Sequence, residues 1–267
     1  MSKVVLITGA SSGIGAAIAQ YLVAQSYTVY GTSRNPKSEW SDGVRMLALD
    51  VTKAETIHTA ITEIIKRSGT IDFLINNAGM GITGPLEETP DKETRRVFET
   101  NYFGALEVIK AVLPSMRGQQ SGMIINVTSI AGYMGLPYRG IYSATKGALA
   151  ITTEAYRMEL KEFNVKMTTV APGDFATNIA AGRYHAPVLE NSPYKENYKN
   201  TLAIMDEHVD SGMDTQIMAK VVHRIMKTEN PKVHYRVGYF MQRFSIVLKR
   251  ILPDTWYEKL LLNHYNL

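Results

Sequence analysis

The feature that most constrains the fold of this chain is the alternation of short apolar runs with longer segments of helical periodicity. This alternation predicts a parallel sheet covered on both faces, because a crossover between parallel strands usually contains a helix. The chain is therefore expected to form a doubly wound α/β fold with a seven-stranded parallel sheet, in a single domain. The expected strands are 4–8, 27–32, 44–49, 71–76, 122–128, 165–171 and 233–237, and the expected helices are 13–25, 53–67, 91–116, 140–162 and 214–227.

Composition and charge exclude several classes of protein. With 267 residues, 45% hydrophobic and 20% charged, the chain has ordinary globular values, and the absence of cysteine excludes disulfides and thiolate metal sites. No metal-binding residues are expected. The first apolar run is too short for a signal peptide, and no run approaches the roughly 20 residues of a membrane span. The net charge of +4 resides in 232–267, where six Lys or Arg face two Asp or Glu. We therefore expect a cytoplasmic protein with no nucleic-acid partner.

A glycine-rich turn follows the first expected strand. In TGASSGIG, Gly9, Gly13 and Gly15 lie where that strand passes into the first helix. Bare backbone at this turn can approach a pyrophosphate, and the helix N-terminus favours its negative charge. Three glycines could also serve only a tight turn. Their position between strand and helix favours a dinucleotide site.

Five motifs in order resemble the short-chain dehydrogenase/reductase family, in its compact branch. They are TGASSGIG, NNAG at 76–79, Ser129 followed thirteen residues later by Tyr142, then Lys146, and the Pro-Gly pair at 172–173. The resemblance implies a Rossmann-type fold, binding of NAD or NADP, hydride transfer between an alcohol and a carbonyl, and a homodimer or homotetramer.

The resemblance also implies which residues contact the cofactor. Residues of the glycine loop would hold the pyrophosphate, the Asp-Val pair after the third expected strand would meet adenine, the NNAG turn would lie beside the ribose, and the APGDFAT turn would hold the carboxamide. These residues are Gly9, Ser11, Ser12, Gly13, Ile14 and Gly15 in the loop, Asp50 and Val51, Asn77, Ala78 and Gly79, and Pro172, Gly173, Phe175 and Thr177. The NNAG turn could instead serve only to stabilise the sheet.

The end of the second expected strand bears on the choice between NAD and NADP. An acidic residue there would bond the ribose hydroxyls of NAD and repel a 2′-phosphate. This chain carries Ser33 and Arg34 instead, and a guanidinium can bind a phosphate through two hydrogen bonds. We therefore favour NADP over NAD. Arg34 alone could also be a solvent-exposed loop residue.

Tyr142 and Lys146 are the expected catalytic pair. Four-residue spacing on a helix places both side chains on one face, although such pairs also occur by chance. An ordinary tyrosine has a pKa near 10, and a neighbouring cation makes the phenol a better acid-base group at neutral pH. The resemblance adds two further catalytic residues. Ser129 would donate a hydrogen bond to the substrate oxygen that Tyr142 protonates, although it could simply cap a turn. Asn101 would relay protons to Lys146 through water, although an isolated Asn is more often a helix surface residue.

The loops at 80–86, 131–139 and 178–214 are expected to determine the substrate. Their Tyr and Met side chains suit a bulky apolar ketone or aldehyde, although they could equally pack beneath the loops or form a subunit contact. The chain resembles the subgroup of 17β-hydroxysteroid and retinol dehydrogenases and acyl-dihydroxyacetone-phosphate reductases. A reductase of small polar carbonyls or acyl thioester-derived ketones, and a dinucleotide-binding redox sensor without turnover, are the alternatives. The expected lining comprises Met80, Tyr133, Met134, Leu136, Tyr138, Tyr184 and Met205.

The C-terminal residues 238–267 are expected to extend the nucleotide-binding domain formed by 1–237. Residues 240–252 form an amphipathic helix with a basic polar face and only Ile246 on the wrong side. Such a helix can lie in a membrane interface, or it can pack on the substrate loop or on another subunit. In each case we expect it on the substrate side, away from the glycine loop. The apolar face comprises Phe240, Met241, Phe244, Val247, Leu248, Ile251 and Leu252.

Overall fold

A computed structural model describes residues 2–176, 182–210 and 212–267, with the backbone alone at 206–210. Its main sheet has the strand order β10-β8-β7-β5-β1-β2-β4-β3. Seven of these strands run parallel and correspond to the seven expected ones. The eighth, β3, is a two-residue antiparallel edge strand that was not expected. The strands are β1 Val4–Ile7, β2 Thr28–Ser33, β3 Trp40–Ser41, β4 Val44–Ala48, β5 Phe73–Asn76, β7 Gly122–Val127, β8 Val165–Pro172 and β10 His234–Val237, and β6 Ile82–Thr83 pairs separately with β9 Tyr184–His185.

Helices cover both faces of the sheet. The five expected helical segments are present, and three further helices lie in or after the insertion that follows β8. A π-helical turn at Glu99–Phe103 divides the segment expected as one helix over 91–116. The helices are α1 Gly13–Ala24, α2 Ala54–Ser68, α3 Asp91–Phe98, α4 Gly104–Gln119, α5 Gly140–Glu159, α6 Lys195–Asp210, α7 Thr215–Met226, α8 Phe240–Ile251 and α9 Asp254–Tyr265.

The alternation of side chains along the strands separates two cores. In β1, Val5 and Ile7 pack with α1 and α7 on one face, whereas Val4 and Leu6 pack with α2 and α4 on the other. All four are buried, which explains why the strand is a continuous apolar run. The two cores fix the sheet, whose carboxyl edge carries the loops expected to form the site.

The C-terminal extension packs on the segment that follows β7. Ile246 of α8 and Tyr257 of α9 share a small core with Ile130 and Met134. The predicted orientation of α8 was wrong. Ile246, the one apolar residue expected on the polar face, is only 1% exposed. The helix docks through the side that faces Ile130. Most of the expected apolar face, namely Phe240, Met241, Phe244, Val247 and Ile251, is exposed instead, while Leu248 and Leu252 pack at the edge of the small core.

Within the part of the chain that the structure describes, no helix has the length and apolar character to cross a membrane.

Candidate active site

Tyr142 and Lys146 lie one turn apart on α5 and are both buried, at 8% and 4% exposure. The Lys146 Nζ atom lies 5.9 Å from the centre of the Tyr142 ring and donates a hydrogen bond of 3.0 Å to the carbonyl of Val127 at the end of β7. Burial lowers the pKa of Lys146, and the charge of an ionised Tyr142 opposes this shift. The ammonium form is therefore favoured most when negative charge develops on the phenol.

Asn101 lies in the π-helical turn and is 1% exposed. Its Oδ1 accepts from the backbone N–H of Met80 at 2.8 Å, and its Nδ2 donates to the Met80 carbonyl at 2.9 Å and to Thr145 Oγ1 at 3.2 Å. The alternative that it is a helix surface residue is therefore wrong. A wide π turn within an α-helix is often found at functional sites, and here it brings the amide against α5.

Gly79 lies between Asn101 and Lys146. A Cβ atom added at Gly79 would lie 3.2 Å from Asn101 Oδ1 and 3.4 Å from Lys146 Nζ. A side chain at this position would therefore crowd both polar groups. Glycine leaves the space between them open at the end of the NNAG turn.

Ser129 lies two residues after the end of β7 and caps the short 3₁₀ turn Ile130–Tyr133. Its Oγ accepts from the backbone N–H of Ala131 at 3.2 Å, so it does cap a turn. The capping bond uses a lone pair and leaves the hydroxyl proton for another acceptor. The turn contacts α5 closely, because a Cβ atom on Gly132 would lie 2.9 Å from the backbone carbon of Lys146. Ser129 is thereby held against the helix that carries Tyr142 and Lys146.

The glycine loop has a geometry that requires glycine. Gly9 and Gly13 have φ values of 67° and 56°, which residues other than glycine rarely adopt. A Cβ atom on Gly15 would lie 2.2 Å from the Gly9 carbonyl oxygen. Ser11 and Ser12 are exposed at the N-terminus of α1, and Ile14 packs against the core behind them. The loop thus presents bare backbone at a helix N-terminus, which fits a pyrophosphate.

The NNAG turn supports this loop. Asn77 Nδ2 donates to the carbonyls of Thr8 and Gly9 at 3.1 and 2.9 Å, and the N–H groups of Asn77 and Ala78 both donate to Thr8 Oγ1. Thr8 and Gly9 follow β1, so the Asn77 side chain stabilises the start of the glycine loop.

The end of β2 carries free hydroxyls beside a cation. Thr32 Oγ1 and Ser33 Oγ are buried and have no hydrogen-bond partner among the described residues. Arg34 is exposed next to them. Buried hydroxyls without a partner are unusual in proteins, so this pair fits a ligand rich in acceptor oxygens, such as a phosphate. Thr32 was not expected from the sequence.

Asp50 and Val51 follow β4 beside this position. Although burial opposes the change, hydrogen bonds from Thr52 and the charges of Arg34 and Lys53 hold the pKa of Asp50 below its usual range. Asp50 therefore stays a carboxylate at neutral pH and can accept from a ligand amine. Val51 is buried and packs against Gly104, where a Cβ atom would lie 2.8 Å from its side chain. Its side chain thus serves the core.

Pro172 is the last residue of β8, and Gly173 and Phe175 lie in the turn that follows it. Phe175 is buried and pairs with Met213, near the end of the insertion. The Gly173 N–H donates to the Val237 carbonyl at 2.7 Å. Thr177, the last expected cofactor residue, lies outside the described residues. Gln242 of α8 also contacts this turn, which the sequence motifs did not reveal because it lies 69 residues beyond Gly173.

The expected substrate lining divides into two groups. Met134 and Met205 are buried, so they pack beneath the loops, which was one of the alternatives. The remaining lining residues, Met80, Tyr133, Leu136, Tyr138 and Tyr184, are half-buried.

Arg139, which was not expected from the sequence, lies beside the catalytic candidate Tyr142. Its guanidinium carbon is 5.5 Å from the centre of the Tyr142 ring. The buried phenol of Tyr265, the last residue of α9, lies next to Arg139. Burial raises the pKa of Tyr265, and the charge of Arg139 opposes this shift.

Comparisons with known proteins agree with this arrangement. The profile of the short chain dehydrogenase family matches residues 3–187. A 3-ketodihydrosphingosine reductase of Bacteroides thetaiotaomicron is 40% identical over 95% of this chain and 94% of its own length. A short-chain dehydrogenase structure from Streptomyces avermitilis has a TM-score of 0.82 at 32% identity and covers 97% of both chains. One from Burkholderia cenocepacia in complex with NADP has a TM-score of 0.77 at 25% identity, and the match covers 97% of this chain and 98% of that one. The chain therefore belongs to the short-chain dehydrogenase/reductase family of oxidoreductases, whose cofactor is a nicotinamide dinucleotide.

Proposed function

We propose that this protein is an NADPH-dependent reductase that interconverts a bulky apolar ketone or aldehyde and its alcohol. The observation that carries the proposal is the buried Tyr142 and Lys146 pair, with the nearby Asn101 and the Ser129 turn both packed against α5. A protein that only sensed a dinucleotide would not need a buried acid-base pair. This favours an enzyme over the redox-sensor alternative.

In this proposal, each polar side chain acts on the carbonyl oxygen or on the proton that it receives. When bound, the nicotinamide supplies the hydride to the carbonyl carbon. Tyr142 then gives its proton to the developing alkoxide, and Ser129 donates a hydrogen bond to the same oxygen. Lys146 stabilises the phenolate that remains and contacts the nicotinamide ribose. Asn101 supports the return of a proton through the space left open at Gly79.

The preference for NADP over NAD belongs to this proposal. The hydroxyls of Thr32 and Ser33 and the guanidinium of Arg34 form a donor set for the 2′-phosphate. At the end of β2, where an acidic side chain would bond the ribose hydroxyls of NAD, this chain carries Ser33. The similar structure from Burkholderia cenocepacia holds NADP, which supports the same choice.

We propose a long-chain ketone as the substrate class. The Bacteroides relative is named for reduction of 3-ketodihydrosphingosine, and the half-buried Tyr, Met and Leu side chains of the loops suit an alkyl chain. Steroid and retinoid carbonyls share this apolar character. Small polar carbonyls and acyl thioester-derived ketones remain the alternative.

Oxidation of NADPH by the purified protein tests the proposal. The panel comprises 3-ketodihydrosphingosine, a 17-ketosteroid, retinal, a small polar ketone and an acetoacetyl thioester. We expect the highest kcat/KM with 3-ketodihydrosphingosine. Preference for the small ketone or the thioester would favour the alternative substrate class, and NADPH binding without turnover of any carbonyl would favour the sensor.

We further propose that 238–267 extend the domain formed by 1–237 and that the exposed apolar face of α8 contacts a lipid surface. Phe240 and Met241 are about two-thirds exposed, at 66% and 65%, and Arg243 and Arg250 are exposed on the same helix. The excess of positive charge after residue 232 suits anionic lipid headgroups. A long-chain substrate would partition into the same interface.

Flotation with vesicles tests the lipid contact. We expect the protein to float with phosphatidylglycerol vesicles at low salt and less with neutral vesicles. The double variant Phe240→Ser with Phe244→Ser should lose flotation, whereas Trp40→Ser, which alters an exposed aromatic residue on β3, should not. Wild-type protein that stays at the bottom of the gradient, with a change in oligomeric state in the double variant, would assign the face to a second copy of the chain. Fractionation of the producing cell then tests the predicted cytoplasmic location.

A homodimer or homotetramer is the assembly that we propose. Ile151 and Met158 on α5 are 69% and 72% exposed, which is unusual for large apolar side chains on one helix and suits a subunit interface. Light scattering of the wild type and of Ile151→Glu distinguishes the outcomes. We expect a dimer or tetramer that Ile151→Glu dissociates. A monomeric wild type would contradict the proposal.

A further inference from the structure

The side chain of Gln242, near the start of α8, enters the turn that follows β8. Its Nε2 donates to Asp174 Oδ2 at 2.6 Å, and its Oε1 accepts from the backbone N–H groups of Asp174 at 3.4 Å and Tyr239 at 3.2 Å. One amide therefore contacts both the backbone and the side chain of Asp174. It connects the C-terminal extension to the turn expected to hold the nicotinamide carboxamide.

Two glycines provide the room for this amide. A Cβ atom on Gly173 would lie 2.0 Å from Gln242 Oε1, and one on Gly238 would lie 2.8 Å from the same atom. The Cα atom of Gly173 is itself 3.3 Å from the Cβ position of Gly238. Any side chain at Gly173 would displace Gln242. The two glycines and the amide therefore form one packed unit.

The chemistry of the contact requires glutamine. The carbonyl oxygen serves N–H groups and the NH₂ group serves a carboxylate, so both ends of the amide are used. Glutamate would lose the donor and place a second negative charge beside Asp174. Methionine would keep the length and volume and lose both kinds of hydrogen bond. The contact can therefore be removed without leaving a cavity.

We propose that Gln242 is a positioning residue for the nicotinamide half of the cofactor. By holding Asp174 and the backbone of 173–175, it fixes the turn that receives the carboxamide. This inference rests on the proposed NADP site. Gln242 lies outside residues 3–187, the part that the family profile matches, so the C-terminal extension supplies a determinant of cofactor geometry as well as contacts near the substrate.

Binding of two ligands tests the role of Gln242. NADPH spans the whole site, whereas adenosine 2′,5′-bisphosphate occupies only the adenosine half and never reaches 173–175. For Gln242→Met we expect Kd for NADPH to rise about five- to tenfold, the loss expected for one or two hydrogen bonds. Kd for the bisphosphate should stay within about twofold, since no contact of that half is altered. Arg243→Met, which removes an exposed side chain from the next position on α8, is the matched control.

The outcomes separate this inference from the proposed function. Unchanged NADPH affinity in Gln242→Met would overturn the positioning role, and so would an equal loss for both ligands together with a lower melting temperature, which would mean that Gln242 only stabilises the fold. Wild-type protein that binds neither ligand would overturn the proposed NADP site itself. A loss confined to NADPH, absent in Arg243→Met, is the expected result.

Discussion

At the scale of single residues, the active site places a proton donor and a cation where neither is well solvated. Burial lowers the pKa of Lys146, and negative charge on Tyr142 opposes this shift. Tyr142 supplies that charge when it gives up its proton. In the proposed mechanism, the attraction between the two side chains therefore grows as the proton moves to the substrate, so part of this stabilisation is already present in the transition state.

Replacing Tyr142 by Phe tests this arrangement. The ring stays in place and only the transferable proton is lost, so we expect kcat to fall by about 100-fold or more. Kd for NADPH should change by less than about twofold. Steady-state kinetics and fluorescence titration of NADPH measure the two effects. Retention of full activity would contradict the assigned role.

Arg34 is a second site for a single substitution. Arg34→Asp should lower the ratio of kcat/KM for NADPH to kcat/KM for NADH by at least about tenfold. The new carboxylate would repel the 2′-phosphate, and the charge-assisted hydrogen bonds from the guanidinium would be lost. Lys66→Asp makes the same change of charge on an exposed position of α2. An equal shift in both variants would show a general charge effect in place of a specific contact.

At the scale of elements, helix α7 packs on α1 through a buried histidine. His223 lies edge to face with Tyr21 and Tyr27, at centroid distances of 5.6 and 5.7 Å. Burial, aided by the charge of Lys227, lowers the pKa of His223. The folded protein therefore resists binding a proton that the unfolded chain accepts below about pH 6.5.

This difference predicts a loss of stability in acid. As the pH falls below about 6.5, the unfolded state binds the proton first, and the free energy of unfolding should decrease until the pH reaches the lowered pKa of the folded state. His223→Phe keeps an aromatic ring between the two tyrosines and removes the proton site. Urea unfolding of both proteins at pH 7.5 and 5.5 measures the effect. A decrease that is the same in the variant would assign it to other groups.

The elements also show how far the sequence could predict the structure. The seven parallel strands followed from their apolar runs, and the motifs of 9–15, 76–79 and 129–146 are local enough to be read directly. The orientation of α8 could not be predicted, because it depends on which side meets Ile130, a contact across more than 100 residues. Gln242 could not be identified either, because the Asp174 that it contacts lies 68 positions away in the sequence. The segment of α6 has no clear apolar periodicity, so this helix was not predicted.

At the scale of the whole molecule, the C-terminal extension contacts both halves of the site. The sequence predicted that it lies on the substrate side and away from the glycine loop, and gave no sign that Gln242 contacts the turn after β8. On the other side, the Tyr257 hydroxyl donates to Met134 Sδ at 2.7 Å, behind the turn that begins at Ser129. The extension therefore contacts the turn after β8 through Gln242 and the segment after β7 through Tyr257, the two segments that the proposal assigns to the nicotinamide and to the substrate.

Deleting 238–267 tests this integration. The deletion exposes Ile130 and Met134 and removes Gln242, so we expect a lower melting temperature, weaker NADPH binding and loss of activity on long-chain ketones. Differential scanning fluorimetry and NADPH titration measure the first two. A truncated protein with wild-type stability and NADPH affinity would show that the extension is an independent appendage.

The π-helical turn at Glu99–Phe103 has a consequence for how this chain can vary in length. A π turn contains one more residue than the α-helical turn it replaces, so it rotates everything beyond it by about 100° around the helix axis. Deleting one residue from the turn would yield a more regular helix and swing Asn101 away from Thr145 and Met80. The extra residue makes the helix less regular and brings an amide beside Lys146. A chain shorter by one residue at this point would have a more regular helix and would lack the amide of Asn101 beside Lys146.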